Sequence, residues 1–284
     1  MAELQIGFAL HQEKREKRFR EKVIAPVGYT IVEADAMGQE FRWMAELCGD
    51  DVMKQLCFPG EDAHSYMGSR IDRSWEYRDL VGAVKRGDKA AENLRKSGKV
   101  GNLALQYRTS APRFCATARV DYGIDMTMQL ATLIHGIYPR TYKGMPAYWE
   151  KQIAKTKRLG YVETLAGRRV ECKGDWSKRS KQRWALESTS INYPVQGVGA
   201  EQKYLALACV KPILSKFESH FFMDLHDGLY FLVPDHMISS FVPELQAILD
   251  DLPYQDAWDY TPSIPMPWEI KAGPSWGQLK EWKI

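Results

Sequence analysis

Two acidic residues about 190 positions apart, each closing an apolar run, constrain this chain more than any other feature. The first run, Thr30-Ile31-Val32-Glu33-Ala34-Asp35, opens on β-branched residues, reaches Asp35 and passes through Gly38 into a helical pattern. The second, Phe221-Phe222-Met223-Asp224-Leu225-His226-Asp227-Gly228-Leu229-Tyr230-Phe231-Leu232-Val233, reads as a hairpin with Asp227 at its tip. One aspartate near a turn is most often a cap. Two at the ends of buried strands suit a pair of hard cations, which take oxygen ligands and bridge phosphates.

Composition narrows the class. With 284 residues, 45% of them hydrophobic, the chain can bury a sizeable core and hold one or two domains. Nine Trp and a charged fraction of 26% argue for a folded protein. The net charge is only +3, yet eleven Lys/Arg face three acids between Lys151 and Arg183, a local excess of +8. Such a block is a solvated face or, at this density, a surface for a polyanion. The five cysteines are scattered without metal-ligand spacing, so neither a disulfide framework nor a zinc site is expected. No signal-peptide core opens the sequence, and no apolar run approaches the roughly 18 residues of a membrane span. A cytoplasmic protein without a membrane partner is the expectation.

Along the chain, residues 1–22 read as an exposed helix of mixed charge, with a basic face along nucleic acid as the alternative. Helices are expected from Gly38 to about Leu56, from the Glu61–His64 region, over 89–107, from Asp125 to about His135 with a break at Tyr138-Pro139, and over 143–159. Thr109-Ser110-Ala111-Pro112 reads as a stop. Gly160 to Val170 reads as a hairpin turning at Ala166-Gly167. Residues 178–218 read as mostly helical, interrupted at Pro194, and the 221–233 hairpin is followed by a helix to about Leu249. The Pro- and Trp-rich tail, 253–284, shows no clear period.

Arg95, Lys99, Leu103 and Tyr107 recur every fourth residue and drift slowly along one helix face. Two cations, an apolar side chain and an aromatic can grip a triphosphate and stack on a base; they equally describe a half-buried helix with snorkelling cations. No GxxxxGK[ST] occurs, so this is not a P-loop.

Taken together these motifs resemble the polymerase module of family A DNA polymerases, the DNA polymerase I type. Asp35 followed by Glu40 and Arg42 resembles the family's first motif. Arg95, Lys99 and Tyr107 match the second, R-x3-K-x3-F/Y-x3-Y-G, and His226-Asp227 matches the His-Asp-Glu hairpin of the third. Ile191 to Gly197 resembles the template-and-primer helix, and Gly160 to Arg169 the fingers-to-palm return. The order and spacing match from about residue 19 onward.

The resemblance implies an α+β right-hand fold: a palm of antiparallel sheet backed by helices, a helical fingers insertion, and no thumb. The implied division is 1–60 for the N-terminal segment and first part of the palm, 61–180 for the fingers, and 181–284 for the rest of the palm. It implies transfer of a deoxynucleotidyl group from a dNTP to a primer 3′-hydroxyl on a DNA template. Asp35, Asp227 and the Ala36 carbonyl would hold two Mg²⁺ ions, with Mn²⁺ able to substitute. Arg95 and Lys99 would bind phosphates, Lys99 also protonating the leaving pyrophosphate. Leu103 and Tyr107 would line the nucleotide, Tyr107 near the templating base. Glu40 would crowd the sugar 2′-position, favouring dNTPs, and His64 would approach the phosphates. Asn192, Gln196, His226, Arg168 and Arg169 would contact DNA.

Five departures stand out. Leu103 replaces an aromatic, Ala104 and Arg108 replace glycines, Gly228 replaces the acid after Asp227, and Ser188 stands where the family carries Arg. With no thumb and no room for a 3′–5′ exonuclease expected in this chain, the resemblance implies a split, phage-type polymerase whose second polypeptide supplies the thumb, with proofreading as a further function it could carry. The competing reading is a catalytically weak or inactive DNA-binding subunit of a replication complex.

Overall fold

The computed structural model describes residues 20–177 and 180–282. The charged segment read as an exposed helix therefore lies, up to residue 19, outside the described residues. Strand β1 (Tyr29–Ala36) opens the fold, and its pleat sorts the sequence into two faces. Val32, Ala34 and Ala36 are buried on one face, while Glu33 and Asp35 point to the other. The helix expected from 38 to 56 is two helices, α1 (Gln39–Cys48) and α2 (Asp51–Gln55). Gly49, at φ 66°, ends the first, and the Asp50 carboxylate caps the second by accepting from the Met53 amide at 2.9 Å.

Helix α3 (Ala63–Ile71) is capped by Asp62, and α4 (Tyr77–Lys85) follows, a helix the sequence reading did not mark. Helix α5 (Lys89–Leu105) starts on Asp88, whose side chain accepts from the Ala91 amide. The stop at 109–112 is also a start. Ser110 and Pro112 open α6 (Ala111–Val120), where a first-turn proline removes an N–H that has no helical partner anyway. Helix α7 (Met128–Thr141) runs through Pro139 instead of breaking there, with the Tyr142 amide bonded back to Tyr138 across the proline. Helix α8 (Gly144–Leu159) ends on Gly160, and the short hairpin β2 (Tyr161–Glu163) and β3 (Arg169–Glu171) follows as expected.

Helix α9 (Gln182–Lys216) spans 35 residues without interruption at Pro194. The proline removes one ladder bond, but buried Ile191, Val195 and Val198 keep the same stripe packed on both sides of it. The expected hairpin is β4 (His220–Leu225) and β5 (Gly228–Pro234), followed by α10 (Ile238–Asp250) and α11 (Tyr254–Trp258). The aperiodic tail holds β6 (Trp268–Gly273), which pairs along β1, and a two-residue β7 (Lys280–Glu281).

The chain forms two compact units. One takes in the chain up to Gln39, Ala200–Ala257 and the chain from Met266 on; the other is Glu40–Gly199 with Trp258–Pro265. In the first, an all-antiparallel sheet of order β4-β5-β1-β6-β7 is backed on one face by helices. Val32, Phe231 and Ile270 of the sheet pack there with Val210, Phe241 and Leu245 of the helices. This is the α+β architecture the motifs implied. The second unit is helical apart from the β2–β3 hairpin, and its buried residues include Trp43, Met67, Phe114, Tyr138 and Tyr142. No described helix is long and apolar enough to cross a membrane.

Candidate functional site

In the sheet unit, strand register brings the two separated acids together. Antiparallel pairing sets Asp35 opposite Gly228, so Asp227, in the turn between β4 and β5, stands at the same end of the sheet. The Ala36 amide donates to the Asp227 carbonyl at 3.3 Å, closing the gap between the strand end and the turn. His226, the other turn residue, has φ 51°. On the other side, β6 places Glu269 opposite Asp35 and Lys271 opposite Glu33.

This face is rich in carboxylates. Lys271 ion-pairs with Glu269 and stands 3.9 Å from Glu33, which also accepts from the Tyr230 hydroxyl. Burial, and then the charges of Glu33 and Asp227, push the Asp35 carboxyl up to about 6, with Lys271 acting the other way. A hard divalent cation would relieve that repulsion, and the donors are the carboxylate and carbonyl oxygens such ions prefer. Among the described residues no three His, Cys, Asp or Glu side chains form a closed metal cage. A platform of one or two carboxylates, completed by phosphate and water oxygens, is how Mg²⁺ is usually held at phosphate substrates. The carboxylates of Asp35 and Asp227 at one sheet end fit a hard divalent cation in this way. The departure at Gly228 has a local reason: a Cβ there would stand 3.2 Å from the Tyr230 ring, which fills the space.

In the helical unit, α5 carries the phosphate-binding candidates. Gly98 packs α5 directly against α3, and that approach brings His64 into the field of Arg95 and Lys99. Arg95 donates from Nε to Asp62 at 2.7 Å, and Asp62 in turn accepts from the His64 and Ser65 amides. Burial works to raise the Asp62 carboxyl, but the bonds and charge of Arg95 and the Ser65 bonds hold it below its usual range. Burial first, then Arg95 and Lys99, lower His64 to about 4, so its ring is neutral at pH 7. Asn102 Nδ2 donates to the Ala63 carbonyl and stands 3.3 Å from His64 Nδ1. An amide donor on Nδ1 leaves the proton on Nε2, where it can be donated to an anion.

Glu40, early in α1, accepts from the Tyr107 hydroxyl at 3.1 Å and from Gln106 Nε2 at 3.2 Å. Burial and then Glu40 raise the Tyr107 hydroxyl well above its ordinary range, while a hydrogen bond with Gln196 acts the other way. Glu40, Tyr107 and Gln196 thus form one group. Tyr107 also lines a cavity of about 410 Å³ with Arg108, Trp184, Ser188 and Asn192. Asn192 donates to Ser188 at 3.3 Å, and its Oδ1 is buried without a protein partner. Two departures meet here: Arg108, at φ 57°, ion-pairs with Glu187 beside Ser188.

Not every candidate is brought to this group. Arg168 donates to the Gly197 carbonyl at 3.2 Å, whereas Arg169 ion-pairs with Glu163 inside its own hairpin and lies over the Tyr161 ring. Leu103 lies one turn before Tyr107, half-buried on α5. Sequence reasoning missed Asp62, Asn102 and Lys203, which bond to candidate residues or the turn beside them across long stretches of chain: Asp62 to Arg95, Asn102 to the Ala63 carbonyl beside His64, and Lys203 to the His226 carbonyl. Asp62 alone had a local signal, as an acid before a helical run.

The family model for DNA polymerase family A matches residues 6–278. DNA polymerase I of Deinococcus radiodurans is 27% identical over 266 residues, covering 93% of this chain and 25% of that protein. The thermostable DNA polymerase I of Thermus aquaticus is 25% identical over 268 residues, covering 93% of this chain and 29% of that protein. The chain thus spans between a quarter and a third of the length of these relatives. Among solved structures, the POL domain of Pol1 from M. smegmatis, in complex with DNA primer-template and dNTP, shares the fold. Its TM-score is 0.78 at 23% identity, with 94% of this chain and 44% of that chain covered. The chain belongs to DNA polymerase family A.

Proposed function

We propose that this chain performs template-directed DNA synthesis, transferring a deoxynucleotidyl group from a dNTP to a primer 3′-hydroxyl. The observation that carries the reading is the β1–β5 register, which brings Asp35 and Asp227 to one end of the sheet. In this reading the sheet unit is the palm and the helical unit contains the fingers.

Asp35, Asp227 and the Ala36 carbonyl would hold two Mg²⁺ ions, or Mn²⁺ in their place. Bound there, the ions supply activation of the 3′-hydroxyl and neutralisation of the triphosphate. Arg95, oriented by Asp62, binds phosphate oxygens, and Lys99 donates a proton to the leaving pyrophosphate. Neutral His64 donates from Nε2 to the same phosphates. Glu40, held by Tyr107 and Gln106, occupies the space beside the sugar 2′-carbon and excludes a ribose hydroxyl. Asn192, Gln196 and His226 contact the primer-template, with Arg168 and Arg169 as backbone cations. Grip on the duplex comes mainly from sequence-independent backbone contacts, and a thumb-bearing polypeptide would add them.

The test is primer extension with dNTPs and Mg²⁺, comparing the wild-type chain with Asp227→Ala. Extension by the wild type that vanishes in the variant supports the reading. Primed-DNA binding without extension, even when a thumb-bearing polypeptide is added, would establish the DNA-binding subunit instead.

A further inference from the structure

Resting on that reading, we propose that Lys203 is a positioning residue for Asp227: it pins the β4–β5 turn and so sets where the Asp227 carboxylate points. Lys203 lies on α9 with its side chain only 10% exposed. Its ammonium donates to Asp224 Oδ2 at 3.0 Å and to the His226 carbonyl at 2.8 Å. Burying an ammonium is costly unless it is paired and hydrogen-bonded, so the contact holds the lysine as firmly as the lysine holds the turn.

The geometry gives that contact a specific consequence. Asp227 lies between two peptide planes. The one before it carries the His226 carbonyl, held by Lys203. The one after it carries the Asp227 carbonyl, which accepts from the Ala36 amide at 3.3 Å. Fixing both planes fixes φ and ψ of Asp227, and with them the direction of its Cα–Cβ bond and the set of rotamers open to the carboxylate. Ala36 follows Asp35 directly, so the second anchor also ties Asp227 to its partner acid. His226 sits at φ 51°, as the first residue of a two-residue hairpin turn commonly does, and the Lys203 bond to its carbonyl adds to what holds it there. Asp224, half-exposed on β4, aims the ammonium at that carbonyl.

The test is Mn²⁺ binding, read from the paramagnetic signal of free Mn²⁺, for the whole chain with primed DNA and a non-hydrolysable dNTP. Wild type, Asp227→Ala, Lys203→Met, Lys203→Arg and Asp224→Asn are compared. Misdirecting one metal ligand should weaken the Asp227-dependent binding by about tenfold in Lys203→Met. Lys203→Arg, which keeps a cationic donor, should recover part of the loss. The Mg²⁺ needed for half-maximal extension should rise in parallel while the KM for dNTP stays put. Lys203→Met binding Mn²⁺ as the wild type does would overturn the proposal. Should that variant not fold, Asp224→Asn decides, at a position where exposure makes folding safe: weakened binding supports the proposal, and unchanged binding overturns it. If wild type and Asp227→Ala bind Mn²⁺ alike, the metal reading of the turn fails instead.

Discussion

Gly98 of α5 lies so close to α3 that a Cβ at this position would stand 2.2 Å from the His64 carbonyl oxygen and 2.8 Å from the Gly68 nitrogen. Two helix backbones meet there, so neither can yield as a flexible side chain would. Gly98→Ala should destabilise the protein by about 1–3 kcal/mol, the usual range for overpacking. Separating α3 from α5 also moves His64 away from Arg95 and Lys99. A urea titration monitored by circular dichroism should show the midpoint falling, and the His64 ring should titrate closer to an ordinary histidine by NMR.

Glu40 and Tyr107 form a second such pair, this one at the proposed sugar gate. Glu40→Ala should lower selection of dNTPs over ribonucleotides by about 10- to 100-fold, since a small pocket change is worth roughly 1–3 kcal/mol. Tyr107→Phe removes one of the bonds that hold Glu40 and should cause a smaller fall in the same direction. Single-nucleotide incorporation with dNTP and rNTP measures both. Unchanged sugar selection in Glu40→Ala would remove Glu40 from the gate.

In the proposed reading, Asp35, raised to about 6, holds a metal for which its proton competes, so extension and metal affinity should fall as pH drops through about 6. Stability runs the other way. Because the folded carboxyl holds its proton to higher pH than the unfolded one, stability falls as pH rises from about 4 to 6 and stays lowered above that. Asp35→Asn should therefore stabilise the metal-free protein at pH 7, by about 1–2 kcal/mol after allowing for solvent screening of a partly buried group. At pH 4 the gain should disappear. Thermal unfolding at the two pH values, in the presence of a chelator, checks the sign.

Glu46, buried on α1, accepts from the Tyr260 hydroxyl at 2.6 Å and from the Ser263 amide and hydroxyl, each at 2.9 Å. These bonds fasten residues 258–265 within the helical unit, with the Arg42 guanidinium adding a bond to the Pro265 carbonyl at 2.7 Å. Glu46→Ala leaves several donors without an acceptor and should cost about 2 kcal/mol. Hydrogen exchange should quicken first at the Ser263 amide; protection there equal to the wild type would show that the segment is held by other means.

Local spacing made the ingredients of the site legible. The β-branched run ending at Asp35, the hairpin tipped by His226-Asp227 and the fourfold spacing of Arg95, Lys99, Leu103 and Tyr107 each sit within a dozen or so residues. Periods of two and 3.6 are properties of the chain itself, so these elements, their order and their resemblance to a polymerase module could be read directly. Proline misled where only local rules were applied. Pro139 and Pro194 stand inside helices because packed neighbours, buried Tyr138 and Tyr142 in one case and Ile191 and Val195 in the other, keep the helix going past the lost bond.

What only the tertiary structure decided is which distant groups meet. Strand β6 pairs with β1 more than 230 residues earlier, so its six residues gave no local period strong enough to announce a strand in the Pro- and Trp-rich tail. The Asp62 bond to Arg95, the meeting of Gly98 with His64 and the reach of Lys203 to the turn beside Asp227 all join segments that share no spacing rule. Periodicity encodes the direction a side chain takes from its own element. The partner it finds depends on how sheet register and helix packing close the chain, and those are set by the core as a whole.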